Sequence, residues 1–275
     1  MEKTSDNALE SAIRLKRRKG TGAFIPFITA GDPSFEISLE IMKVLAEKGA
    51  DVIELGVPFS DPVADGTVIQ ASSARALANG VNFKTAIELV KRFRELYSTP
   101  IVIFSYVNPI LRFGLEEAAK ISAEAGANGI LITDAVDEEA KMIGKAFSKY
   151  GISRISLVAP TTSESRLRQI CSDAEGFIYA IARTGVTGEK EAKMEEAKAL
   201  VKRIRQFTQL PVAVGFGISL SEHILEVWRF ADAAVVGSAI VKTIDELTKD
   251  TDFLENFRNY IQGLIPQTAE TWPGR

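Results

Sequence analysis

The sequence predicts one α/β domain over residues 1–275, a (β/α)₈ or TIM barrel. Three observations predict it: eight short apolar runs, helical patterns between them, and no linker or break in composition. The runs are nearly continuous rather than alternating, as in strands buried on both faces. A doubly wound open sheet is the alternative, but "TAGDPS" after the first run lacks its glycine-rich turn. The eight predicted strands are 24–29, 51–56, 100–106, 129–135, 154–160, 176–182, 211–217 and 233–239.

An extra helix is predicted before the first strand. Ser5 or Asp6 is its candidate cap, and Leu9, Ala12 and Ile13 form its apolar stripe. The run "RLKRRK" at its end is the only dense basic stretch, and we interpret it as a solvated helix end.

The intervals after the second and sixth predicted strands are the longest in the chain. Active sites of such barrels lie at the carboxyl ends of the strands, and long loops in compact domains are usually functional. The segments 54–66 and 182–191 are therefore predicted to build the site.

Composition excludes several classes of function. A net charge of −3 and a pI near 5.5 argue against a nucleic-acid-binding surface. One cysteine and one histidine exclude internal disulfides and clustered metal ligands, so no metal site is expected. No stretch has the length and apolarity of a membrane span, and the first residues do not resemble a signal peptide. The expected location is cytoplasmic.

Glu54 is the first candidate catalytic residue. It follows Val52 by two positions, so both side chains point to the same face of the second strand. If that face is the barrel interior, burial should raise the carboxyl pKa toward neutrality. Such a glutamate both donates and accepts a proton near pH 7. The alternative is a structural glutamate satisfied by backbone N–H groups or an arginine.

Asp65, Tyr106 and Tyr179 are further candidates at the barrel mouth. Asp65 lies in a loop braced by Pro58 and Pro62, where a turn-capping role is the alternative. For each tyrosine, a packing role and a chemical role are equally consistent with the sequence.

A phosphate site is indicated by glycines after the last two strands. Gly217 ends the seventh strand, while Gly237 and Ser238 end the eighth at the start of a short helical segment. Barrels frequently bind phosphate there, through backbone N–H groups and a helix amino terminus. Gly188 of the loop after the sixth strand could close over it. Glycines kept for close packing are the alternative.

The reaction class is narrowed by what the strands lack. Schiff-base chemistry needs a lysine in the barrel, and none of the predicted strand cores has one. Acid–base chemistry by carboxylates on a phosphorylated substrate remains.

The sequence resembles the tryptophan synthase alpha chain family over nearly its whole length. The segment "IELGVPFSDPVADGTVIQ" is highly specific to that family. Five more segments follow the family's order and spacing: "FIPFITAGDPS", "VAPTTSESR", "RTGVTG", "GFGIS" and "GSAIV".

The resemblance implies retro-aldol cleavage of indole-3-glycerol phosphate to indole and glyceraldehyde 3-phosphate, without a cofactor. Glu54 would be the acid–base residue, and Asp65 would hold the indole N–H. The other implied roles are assistance near the glycerol moiety by Tyr179, pocket walls from Phe27 and Tyr106, a bond from Thr187 to Asp65, and phosphate binding by Gly188, Gly217, Gly237 and Ser238.

The resemblance also implies a beta chain that receives indole, carries pyridoxal phosphate and forms an α₂β₂ heterotetramer. Pro58, Asp61 and Asn108 would lie in the contact. An alternative is that the chain mainly activates beta allosterically, because Thr67 and Val136 depart from the family pattern in segments that face the partner or the moving loops.

Overall fold

The computed structural model describes residues 7–181 and 190–266. Within these ranges the strands form a parallel sheet in the order β5-β4-β3-β2-β1-β9-β8-β7-β6. The strands are β1 (Ala23–Thr29), β2 (Ile53–Gly56), β3 (Ile101–Ser105), β4 (Gly129–Ile132), β5 (Ser153–Arg154), β6 (Ser156–Val158), β7 (Ile178–Ile181), β8 (Val212–Gly215) and β9 (Ala233–Val236).

The predicted barrel is confirmed, and its fifth strand is split. β5 pairs with β4 and β6 pairs with β7, and only Ile155 separates the two short strands in the chain. The two ends of the sheet therefore meet at Ile155, which nearly closes the barrel.

Helices surround the sheet. In the described ranges they are α1 (Ala8–Arg18), α2 (Phe35–Glu47), α3 (Thr67–Ala78), α4 (Phe83–Arg94), α5 (Val107–Phe113), α6 (Leu115–Glu124), α7 (Asp137–Ser148), α8 (Glu164–Asp173), α9 (Lys190–Ile204), α10 (Ser221–Trp228), α11 (Ser238–Leu247) and α12 (Phe253–Leu264).

The extra helix α1 closes the amino-terminal end of the barrel. Leu9 and Ile13 are buried in the same apolar cluster as the inward-facing side chains of the strands, with Ala12 packed against it. The predicted cap was wrong, since Asn7 accepts N–H groups of the first turn at 3.1 and 3.2 Å. Ser5 and Asp6 lie outside the described residues.

The long interval after β2 is not one long loop. Residues 57–66 form the loop, and α3 and α4 fill the rest. Two helices also separate β3 from β4, where Gly114 ends α5 at φ +104° and begins α6.

Candidate active site

Glu54 lies inside the barrel, near the carboxyl ends of the strands. Val52 packs in the interior cluster, and strand alternation turns Glu54 to the same side. Glu54 is 1% exposed, and its Oε1 has no hydrogen-bond partner within residues 7–181 and 190–266. Burial raises the pKa of the Glu54 carboxyl to about 8. The carboxyl is therefore protonated at neutral pH and is placed to exchange a proton with a ligand.

Aromatic side chains surround this carboxyl. Phe27 of β1 pairs in register with Glu54, and its ring meets that of Phe104 edge-on, with centroids 5.1 Å apart. Tyr179 of β7 faces the same interior. Burial first, and the Glu54 charge second, raise the pKa of the Tyr179 hydroxyl well above its usual value. The upper interior is thus an apolar, aromatic chamber with Glu54 in its wall.

Two glycines make room for these rings. A Cβ at Gly215 would lie 2.5 Å from the Tyr179 hydroxyl oxygen, and one at Gly56 would lie 2.6 Å from Cζ of Phe27. Both distances are far below ordinary van der Waals contact. A methyl group at either position would displace a ring of the chamber.

Asp65 is presented from the loop after β2. The Asp65 backbone N–H donates to the Pro62 carbonyl at 3.0 Å, and the Gln70 side chain donates to the Asp65 backbone carbonyl at 2.8 Å. The carboxyl is half-buried. Burial raises its pKa to about 6, while a hydrogen bond from Tyr106 acts in the opposite direction. At neutral pH Asp65 is therefore mostly ionised, unlike Glu54.

Tyr106 holds that loop in place. It is 2% exposed at the start of α5, and its hydroxyl accepts the Ala64 N–H at 3.0 Å. Its ring packs on Phe59 of the same loop, with centroids 5.2 Å apart. Through Ala64 and Asp65 the tyrosine ties the end of β3 to the loop after β2. Its position is that of an anchor for the loop that carries Asp65.

The candidate phosphate residues lie after β8 and β9. Gly237 is the amino-terminal cap of α11, no side chain caps that helix, and Ser238 is its exposed first residue. The first N–H groups of α11 thus have no intrahelical partners. Gly217 has φ +80° and lies in the loop between β8 and α10. Thr187 and Gly188 lie outside the described residues.

Two features are absent from residues 7–181 and 190–266. No group of three or more His, Cys, Asp or Glu side chains there could hold a metal ion. Nor does any helix there combine the length and the apolarity needed to cross a bilayer.

Comparison with known proteins decides the family. A sequence profile described as tryptophan synthase alpha chain matches residues 13–265. The tryptophan synthase alpha chain of Methanocaldococcus jannaschii is 45% identical over 231 residues, 84% of this chain and 82% of that protein. That of Alkalilimnicola ehrlichii is 42% identical over 272 residues, 96% of this chain and 99% of that protein.

The chain belongs to the tryptophan synthase alpha chain family.

A solved structure agrees. Tryptophan synthase subunit alpha from Legionella pneumophila superposes with a TM-score of 0.85 at 33% identity, covering 94% of this chain and 97% of that one. The activity of a tryptophan synthase alpha chain is the indole-3-glycerol phosphate lyase half-reaction. The chain is therefore a lyase of tryptophan biosynthesis.

Sequence reasoning missed three residues of this alpha-chain site. Phe104 was visible only as part of an apolar run, and its edge contact with Phe27 depends on how β1, β2 and β3 align. Gly56 and Gly215 carried a weak signal, a glycine at a strand end. What each glycine accommodates is set by a neighbouring strand.

Proposed function

We propose that Glu54 and Asp65 divide the acid–base and electrostatic work of indole-3-glycerol phosphate cleavage. The supporting observation is the contrast between them. Glu54 is sealed in an apolar chamber with a pKa of about 8, and Asp65 stands on the adjoining loop with a pKa of about 6. Two carboxyls whose environments separate their pKa values take different roles at one pH.

In the first step the protonated Glu54 donates its proton to C3 of the indole ring. This protonation places a positive charge on the ring nitrogen. The ionised Asp65 accepts the indole N–H and stabilises that charge, which develops only as the reaction proceeds.

In the second step the Glu54 carboxylate accepts the proton of the hydroxyl on the side-chain carbon bonded to C3. That carbon becomes the aldehyde, the bond between it and C3 breaks, and the electron pair returns to the ring. Indole and glyceraldehyde 3-phosphate result, and Glu54 is protonated again. The balance closes with no cofactor, and we propose that this chain has none.

The remaining residues bind and orient the substrate in this proposal. Phe27 and Tyr106 line the indole pocket, and Tyr106 lies behind Asp65. Tyr179 assists at the glycerol moiety. The phosphate lies at the amino terminus of α11, against Gly217, Gly237 and Ser238. The resemblance also assigns a bond to Asp65 to Thr187 and a phosphate-binding role to Gly188, and both residues lie outside the described ranges.

We also propose a beta chain as partner, in an α₂β₂ heterotetramer whose beta chain carries pyridoxal phosphate. The supporting feature is a 780 Å³ groove between the loop after β2 and α5. Pro58, Asn108 and Leu111 line it, and Leu111 is 42% exposed. The single cysteine, Cys171, is buried and free, which fits a cytoplasmic location.

The test of the function is indole release from indole-3-glycerol phosphate by the purified chain, titrated with beta chain. Release that rises with beta supports the proposal. Absence of release at every ratio rejects it, even if the chain activates beta, because activation without turnover is the allosteric alternative.

The first prediction is a bell-shaped pH dependence of kcat/KM. Activity needs ionised Asp65, which is lost as the pH falls through about 6, and protonated Glu54, which is lost as the pH rises through about 8. The maximum should lie between these values. Initial rates from pH 5 to 9 measure it, and an alkaline limb absent up to pH 9 would contradict the Glu54 assignment.

The second prediction concerns Tyr106→Phe. The change removes the acceptor of the Ala64 N–H and the hydrogen bond that lowers the pKa of Asp65. We expect kcat/KM to fall roughly tenfold, about the net worth of one lost hydrogen bond, and the acid limb to move to higher pH. Tyr97→Phe is the matched control, because the Tyr97 hydroxyl bonds Glu47 on the outer surface at 2.6 Å. If the acid limb stays at the wild-type pH in both variants, Tyr106 does not influence the pKa of Asp65.

A further inference from the structure

A second cavity lies at the opposite end of the barrel from the candidate active site. It has a volume of 330 Å³, and four arginines line it: Arg14, Arg17, Arg18 and Arg205. Pro211 and Asp232, which directly precede β8 and β9, place it at the amino-terminal end of the strands. We call it the arginine pocket.

Three of its arginines come from one face of α1. Arg14, Arg17 and Arg18 are spaced i, i+3 and i+4, so their side chains emerge together on the helix surface. Arg14 is balanced locally, since its Nε meets Glu10 at 2.6 Å and its Nη2 donates to the Gln209 carbonyl at 2.7 Å. The basic run read from the sequence as a solvated helix end is therefore partly folded against the barrel.

The Asp232 carboxylate forms ion pairs with both Arg17 and Arg205. Asp232 Oδ1 accepts from Arg17 Nε at 3.0 Å, and Oδ2 accepts from Arg205 and from the Val212 N–H. Burial alone would raise the pKa of Asp232, but Arg205, the Val212 N–H and Arg17 together outweigh burial, and the pKa is lowered. Asp232 is therefore ionised, and its single negative charge faces two guanidinium groups.

Arg18 adds a further charge. Within residues 7–181 and 190–266, no hydrogen-bond acceptor or carboxylate partners its guanidinium. The four arginines thus meet one lining carboxylate, and Glu10 balances Arg14 from outside the lining. Counted over residues 7–181 and 190–266, two positive charges remain in excess on this concave surface.

We propose that the arginine pocket binds a small doubly charged oxyanion, either inorganic phosphate or the phosphate group of a small metabolite. Guanidinium groups present planar, forked donors that match the oxygens of phosphate, and the excess charge equals that of the dianion. The volume is about ten times the share of one water molecule in the liquid, so the anion fits with its hydration partly retained. This site is separate from the phosphate residues after β8 and β9.

Bound anion would join α1 to the barrel floor. It would bridge arginines of α1 to Arg205, the first residue after α9. Because the unfolded chain has no such pocket, occupancy adds to the free energy of unfolding.

The test is an amide NMR titration of the full chain with inorganic phosphate, at constant ionic strength held with sodium chloride. We expect saturable shifts of the amide signals of residues 14–18, 209, 210 and 212, distinct from those at Gly217 and Gly237. Arg18→Gln should weaken the first set at least tenfold and leave kcat for indole-3-glycerol phosphate unchanged. Arg18 makes no hydrogen bond in the described chain, so the variant is expected to fold.

Lys120→Gln is the control for net charge, because it removes one exposed positive charge on α6. It should leave both sets of shifts unchanged. A parallel titration with glycerol 3-phosphate shows whether an organic phosphate competes for the pocket; saturation by either ligand supports the proposal. Shifts that follow chloride equally, that are confined to Gly217 and Gly237, or that persist unchanged in Arg18→Gln would overturn it. None of these outcomes bears on the lyase activity, which its own assay decides.

Discussion

Glu54→Gln is expected to lower kcat for indole-3-glycerol phosphate cleavage by roughly 10³-fold or more, within the usual contribution of a positioned acid–base group. Glutamine keeps the shape and the burial of the side chain but neither donates an acidic proton to C3 nor accepts one from the hydroxyl. Both proposed steps pass through this one carboxyl, and no other carboxyl shares its chamber in the described part of the chain.

Binding should survive the change. In the proposed binding mode α11 holds the phosphate end of the substrate, away from Glu54, so KM and the affinity for glycerol 3-phosphate should change by less than about threefold. Glu88→Gln, on the exposed face of α4, is the matched control and should keep full activity. Retention of most of the activity by Glu54→Gln would refute the acid–base assignment.

The same variant should also be more stable at alkaline pH. The pKa of Glu54 is about 8 in the folded chain and near 4.5 when exposed. Between these values the unfolded state is ionised while the folded state keeps its proton, so the folded state binds more protons. The wild-type chain therefore loses stability as the pH rises from about 4.5 to about 8, and glutamine does not. The difference in Tm between Glu54→Gln and wild type should grow from pH 5 to pH 8 in thermal unfolding.

The barrel was predictable because its strands are buried on both faces. That burial forces nearly continuous apolar runs, which stand out against the amphipathic helices between them. The inward position of Glu54 was predictable from Val52, because side chains two positions apart on a strand face the same side.

Contacts between distant segments were not predictable in the same way. That a methyl group at Gly215 would strike the Tyr179 hydroxyl depends on the register of β7 on β8. The anchoring of Ala64 by Tyr106 joins residues 42 apart in the chain. Periodicity and local propensity carry no information about either contact. The capping residue of α1 was predicted wrongly because Ser5, Asp6 and Asn7 are all residue types that cap helices well.

Asp65→Asn is expected to lower kcat by roughly 10²- to 10³-fold, the usual cost of removing one group that stabilises charge in the transition state. The asparagine oxygen still accepts the indole N–H, so ground-state binding is largely kept and KM should change little. What is lost is the negative charge beside the ring nitrogen, at the moment when protonation of C3 makes that nitrogen positive. Asp173→Asn, at the exposed end of α8, is the control and should behave as wild type.

The pH profile separates this electrostatic role from a structural one. The substrate phosphate also titrates near pH 6, so both proteins should keep that contribution. The acid limb due to Asp65, with its pKa of about 6, should be present in wild type and absent in Asp65→Asn. A variant with the same acid limb as wild type but lower kcat would mean that the Asp65 side chain only shapes its loop, through its hydrogen bond with Tyr106. The difference between the two profiles thus decides whether the ionised form of Asp65 is the one that the reaction needs.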